Sequence, residues 1–296
     1  MKFIVMNRNV LSIAAVLCLF IVSCQKEKGD SKPPVTDAEA EVYSLESMEA
    51  EASFDDLLDI SMTAAEEEAL ASAAREAGTA GRLFPFLKLK LRIGAKAVIT
   101  VTPDDNTYPK VVTIDFGPGG NGNDGRFRKG KIIIHISGPI REPGSVMTIT
   151  LEDYHVGRLE VEGTKVITNL STNDGIRYSV EVKDASITWP NGRQYTYERL
   201  TYTTQIEGAG TDDIMDDVYT IEGSTKTVYQ NGMETIISTS EALIKKVNCQ
   251  WISAGVLQAK VKNHEFQLDY GYPNDGDCDN EALLKCRNKE RIVTLP

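Results

Sequence analysis

From Gly81 onward, apolar and polar residues alternate along the chain with a period close to two. Runs such as VVTIDF, IIIHIS, VMTITL, YSVEV and TIISTS are rich in Val, Ile, Thr and Tyr, the pattern of half-buried strands. Asn173-Asp174-Gly175, Asn191-Gly192 and Asn231-Gly232 fall between such runs, where tight hairpin turns need residues that accept positive φ. No apolar run of helical period intervenes, which argues against parallel strands joined by crossover helices. Residues 81–296 are therefore predicted to be a mainly β domain, an antiparallel meander of about a dozen strands shaped as a sandwich, a curled sheet or an open barrel. Two stretches, VEGTKVITN at 161–169 and IEGSTKTVY at 221–229, echo each other and are read as similar hairpin strands.

Before Gly81 the pattern changes. Residues 36–80 are nearly free of Gly and Pro and have high helix propensity. Thr63 followed by Glu66 has the form of a capping box, while Arg75 and Gly78 suit a helix end. A helix is predicted over 64–77, with 36–60 as loose helix or disorder. Its apolar positions are mostly Ala, with Leu70 the exception, so it has little area to bury. The expectation is a solvated, acidic stalk. Residues 30–80 hold 14 acidic residues and two basic ones, against a formal net charge of −11 for the whole chain. The acidity thus belongs to this segment, and only here does it repel nucleic acid and anionic lipid.

The first residues carry a different signal. Lys2 and Arg8 precede an apolar run at 10–22, VLSIAAVLCLFIV, which is shorter than the about 20 residues of a comfortable membrane span. The run ends in Ile21-Val22-Ser23-Cys24, which resembles the lipobox of bacterial lipoproteins. The resemblance implies that 1–23 is a signal peptide and that Cys24 receives lipid, palmitate-like chains included. Residues 24–35 then form a polar tether ending in Pro33-Pro34, and two or three acyl chains suffice for stable membrane attachment. Gln25-Lys26-Glu27-Lys28 resembles the lysine-acidic surface-export signal of Bacteroidota lipoproteins. Together these imply an outer-membrane location in the cell envelope, facing the surface rather than the periplasm.

Chemistry is thinly signalled. The stretch GPGGNGNDGRFRKGK at 117–131 has near P-loop spacing in its tail, but Ile132 stands where a Ser or Thr must hold magnesium, and a strand-like run follows instead of a helix. No nucleotide is expected. Arg126, Arg128, Lys129 and Lys131 form a candidate anion-binding loop for lipid phosphates or an acidic glycan; the plainer reading is an edge guarded by charge. Asp275, Asp277 and Asp279 alternate like the start of a calcium loop but depart from its glycine and closing acid. Asp212, Asp213, Asp216 and Asp217 make a second acidic loop, and a hydrated turn is favoured at both. His135, His155 and His264 stand in no catalytic motif, so no catalytic residue and no cofactor is predicted. Among five cysteines, Cys249, Cys278 and Cys286 remain for a single bridge in an oxidising compartment. Cys249–Cys278 is preferred and Cys278–Cys286 is the alternative.

YPKVVTIDFG, NDGRFRKGKIIIHISG, REPGSVMTITLEDY and VEGTKVITN, followed by DDVYTIEGSTK, NCQWISAG and LDYGYPNDGDCDN, look like a recurrent block of uncharacterised Bacteroidota lipoproteins. The resemblance covers most of 108–280. It implies a β-rich body, an envelope location and the pairing of Cys249 with Cys278, and it carries no catalytic or ligand residues. The expected function is non-enzymatic binding or scaffolding of a glycan or another envelope protein, without nucleic acid. Exposed Tyr195, Tyr197 and Tyr202 would serve a glycan binder, cross-strand packing being their other role. The alternative is a carrier or chaperone of lipid or lipopolysaccharide, with a glycan-active hydrolase behind it.

Overall fold

The computed structural model describes residues 36–77, 86–173, 175–209, 216–249, 251–273, 276–286 and 289–294. The expected signal peptide, Cys24 and expected tether, with Gly78, Asp174, Asp212, Asp213 and Asp275, lie outside them. Two helices, α1 (Asp37–Glu76) and α2 (Leu87–Ile93), precede the strands. These are β1 (Val98–Thr102), β2 (Lys110–Asp115), β3 (Gly120–Asn121), β4 (Phe127–Ile136), β5 (Val146–Val156), β6 (Leu159–Asn169) and β7 (Arg177–Thr188). The rest are β8 (Gln194–Glu207), β9 (Val218–Tyr229), β10 (Glu234–Lys246), β11 (Ala254–Val261), β12 (His264–Asp269), β13 (Glu281–Cys286) and β14 (Lys289–Thr294).

All belong to one antiparallel sheet of 14 strands in which each strand pairs with its successor, β3 being a side pairing on β4. β1 and β14 are its two free edges, so the meander is not closed. The predicted turns at Asn191-Gly192 and Asn231-Gly232 form as read. Gly192 and Gly232 both have φ +77°, and Asn231 Oδ1 accepts the Met233 N–H at 3.0 Å.

The sheet curls because its ladders are broken at successive strands. Pairing slips between Lys129 and Lys131, Thr150 and His155, Glu162 and Thr164, and Val182 and Ala185. Such bulges bend a strand and sharpen its twist. The echo between 161–169 and 221–229 marks two points of close approach: Gly163 has φ +124° and Gly223 φ +150°. A Cβ on Gly163 would lie 2.6 Å from Ala185 Cα, and one on Gly223 would lie 2.2 Å from Leu200 O. Replacing Gly163 by Val should therefore cost about 3 kcal/mol or more from strain and overlap. Gly157, at φ +60° with open space around it, should accept Asn with little loss. Urea unfolding of the two variants checks the contrast.

The acidic segment does not stand off as a stalk. α1 runs for 40 residues, about 60 Å at 1.5 Å per residue, and its N-terminus is set by a capping box at Thr36 and Glu39, 27 residues before the predicted one. Thr63 lies inside the helix, its hydroxyl donating to Asp59 O at 2.7 Å, the back-bonding open to a mid-helix threonine. Phe54, Leu57, Ile60, Ala64 and Ala65 of α1 are buried with the inward residues of the strands, among them Val112, Ile114, Ile132, Ile134, Met147, Ile149, Val161, Ile167 and Ile187. The helix is the inner layer of the core and the sheet is wrapped on it.

Tyrosines fasten the contact. Phe54 stacks on Tyr197, ring centroids 5.0 Å apart, and the Tyr195 hydroxyl donates to Glu46 O at 3.0 Å. Both tyrosines are buried, so they are packing residues and not an exposed glycan platform. Tyr202 is half-buried under the Arg177 guanidinium. Cys249 and Cys278 are joined by a disulfide.

Candidate functional site

The inward face of several strands carries a cation among its apolar residues. In β2 it is Lys110, in β4 Arg128, in β6 Lys165 and in β8 Arg199. A buried charge without a partner is very costly, and α1 supplies the partners.

The first group forms around Asp56. Arg128 donates to Asp56 through Nε at 3.0 Å and Nη2 at 2.8 Å, and to Asp124 through Nη1 at 3.1 Å and Nη2 at 2.7 Å. These are paired, charge-assisted bonds of the strong kind. Arg126 and Arg92 reach the same Asp56 oxygen at 3.1 and 2.8 Å. Burial works against the Arg128 charge, but Asp124 and Asp56 outweigh it and hold its proton more firmly than usual. Further along α1, Glu68 meets Lys110 at 3.1 Å and Arg75 at 2.5 Å.

This arrangement decides how the loop at 117–131 uses its charges. Arg126 and Arg128 turn inward onto Asp56, and Lys131 pairs with Glu152 at 2.7 Å. Lys129 is half-buried beside them. The stretch is a connection from β2 to β4 that delivers two guanidinium groups to the helix.

The second group faces water. Glu51, Asp55 and Asp59 recur every four residues of α1, and so share one side. Their side chains stay 30%, 27% and 25% exposed. Arg199 lies 2.5 Å from Asp55 and 3.7 Å from Glu51. Lys165, almost wholly buried, donates to Phe54 O at 2.5 Å. Burial, with help from Arg199, pushes the Lys165 ammonium down to about 7. Burial pushes Asp59 up to about 7 although Arg92 pulls the other way, and raises Glu51 too. Burial and the Glu51 carboxylate raise the Tyr270 hydroxyl, and the Thr225 hydroxyl, paired in register with Arg199, is buried without a hydrogen-bond partner among the described residues.

Groups that change charge near neutrality beside water can bind or exchange protons; here they also set a pH dependence. Asp59 binds its proton more tightly folded than unfolded, from an ordinary value of 3.8, so its contribution to stability falls as pH rises from about 4 to about 7. Lys165 does the reverse. Its cost is full below about 7 and is relieved as pH climbs toward 10.5. Asp59→Asn should therefore stabilise the protein by about 2 kcal/mol at pH 8, with the gain gone at pH 4. Thermal melts of the variant and parent at the two pH values test this.

Other predicted groups are dispersed. His135 and His155 are on β4 and β5 and His264 opens β12. Asp279 Oδ1 accepts the Glu281 N–H at 2.9 Å, and Asp277 is exposed. Asp216 ends one connection, and Asp217 accepts from Gln205 at 2.7 Å. Among the described residues no group of three His, Cys, Asp or Glu side chains is placed to hold a metal ion. No described helix is long and apolar enough to cross a membrane.

Asp56, Asp59, Glu68, Lys110, Lys165 and Arg199 were not singled out from the sequence. A local signal existed: each of these cations sits in phase with the apolar face of its strand, as Arg199 does with Tyr195 and Tyr197. Comparison of the chain with protein-family models, with curated proteins and with solved structures gives no match.

Proposed function

We propose that the chain is an outer-membrane lipoprotein, held by acyl chains on Cys24 and facing the cell surface, that binds or scaffolds another envelope component. Its partner is a glycan or an envelope protein, and neither catalysis nor a cofactor is part of this reading. The observation that supports it most is the place of α1. The helix occupies the concave side of the sheet, tied through Glu68, Asp56, the Phe54 carbonyl and Asp55 to β2, β4, β6 and β8. A body filled in this way offers partners its convex face, its hairpin rims and its open flank.

The competing reading, carriage of lipid or lipopolysaccharide, needs an apolar hollow for acyl chains. The space beside α1 is bordered instead by Glu51, Asp55, Asp59 and Arg199, and that polarity weighs against it. Native mass spectrometry of the protein isolated from envelopes separates the two. An acylated chain carrying a protein or glycan partner is the expected species. One non-covalent phospholipid or lipopolysaccharide per chain would overturn the binding reading in favour of carriage. Loss of the acyl mass in Cys24→Ala checks the anchor, and protease treatment of intact against lysed cells checks the face.

A further inference from the structure

α2 is built unlike the rest of the surface. It reads LKLKLRI, and Leu89 and Ile93 anchor it by burial. The Glu67 carboxylate of α1 caps its start, accepting the Lys88 and Leu89 N–H groups at 2.9 Å each. Arg92 ties its end to Asp56 and Asp59. With the helix held so firmly, the orientation of its outer side is set by the fold. That side shows Leu87 at 51% and Leu91 at 64% exposure.

Lys88 and Lys96 are exposed among these leucines and Lys90 is half-buried, and residues 86–98 contain no acid. The acids that α1 brings to α2 are engaged by it, Glu67 by its first N–H groups and Asp56 and Asp59 by Arg92. In a chain of net charge −11, α2 is a local basic and apolar element.

We infer that the α2 flank, with Leu87 and Leu91 at its centre and Lys88 and Lys96 beside them, rests on the surface of an anionic phospholipid bilayer. Leucines between lysines suit the headgroup boundary, where apolar side chains enter about 5–10 Å while ammonium groups stay at the phosphates. The positive face meets a negative surface. The geometry of the anchor agrees. Thr36 follows Cys24 by 12 positions, a reach of at most about 40 Å, and the flank lies alongside α1 itself. The inference rests on the envelope reading and goes beyond it by naming the side of the body, the α2 flank, that meets the membrane.

The test uses the full chain on vesicles of phosphatidylglycerol and phosphatidylcholine brominated high on the acyl chain. Leu91→Trp and, on β8, Leu200→Trp are compared, each against the parent emission. Leu91→Trp should lose most of its added emission to the bromines, and Leu200→Trp little. Lys88→Gln and Lys96→Gln should each weaken the effect about fivefold, as should vesicles without phosphatidylglycerol. Equal quenching at the two positions, or none at 91, would overturn the proposal. So would a shift at 91 that depends on protein concentration and not on vesicles, which assigns the face to a second copy of the chain. Failure of the anchor is read separately. Cys24→Ala would lower the amount of protein floating with vesicles, whereas failure of the flank lowers quenching at 91 in the protein that floats.

Discussion

A chain shortened to residues 86–296 is expected to lose cooperative folding altogether. Phe54, Leu57 and Ile60 are fully or almost fully buried, and each is worth about 1.5–3 kcal/mol of removed apolar surface. Those three alone approach the about 5–15 kcal/mol by which a domain is stable. Without α1, moreover, Lys110, Lys165 and Arg199 lose the acids and the carbonyl that answer them, and Arg128 keeps only Asp124. The shortened chain should show no sharp urea transition, weak near-ultraviolet circular dichroism and strong binding of a hydrophobic dye. A peptide of residues 36–77 added in trans should restore the transition. A shortened chain that unfolds as sharply as its parent would return α1 to the role of a stalk.

The second large effect is expected at Arg128. Replacing it by Met takes from the buried Asp124 carboxylate the bonds at 3.1 and 2.7 Å, and removes two of the bonds to Asp56. Breaking one side of a buried pair costs about 3–5 kcal/mol. Lys131→Met is the control, because the Lys131–Glu152 pair is exposed and such pairs are worth about 0–1 kcal/mol. Urea titrations should place the Arg128 variant far below the parent and the Lys131 variant close to it. If both variants match the parent, the Asp56 cluster does not hold helix and sheet together. A parallel loss in Asp56→Ala, not additive with Arg128→Met, would identify the pair as one unit.

Local pattern determined much of this protein. The alternation of β2 and β4, the Asn-Gly turns at 191 and 231, and the absence of Gly and Pro through 36–77 each act within a few residues. Strand, turn and helix could therefore be read from the chain alone, and a mainly β antiparallel meander is what the structure contains. Charge was misleading for a physical reason. An acidic, alanine-rich helix has no apolar stripe, and a helix without one is ordinarily solvated. α1 escapes that rule because the sheet surrounds much of it and meets its acids with Lys110, Arg128 and Arg199, partners far away in sequence.

The tertiary structure alone decided those pairings, and with them the place of α1. It also chose Cys249–Cys278, since three thiols permit several bridges and only the folded backbone brings two cysteines to a Cα separation of 5.6 Å. The crease at Gly163 and Gly223 lies between these cases. Both glycines stand out in the chain, but what forbids a side chain there is a neighbouring strand. Where an interaction closes within one turn or one hairpin, sequence determines it. Where it joins helix to sheet across 72 residues, as from Asp56 to Arg128, or 144, as from Asp55 to Arg199, the choice among partners belongs to the fold.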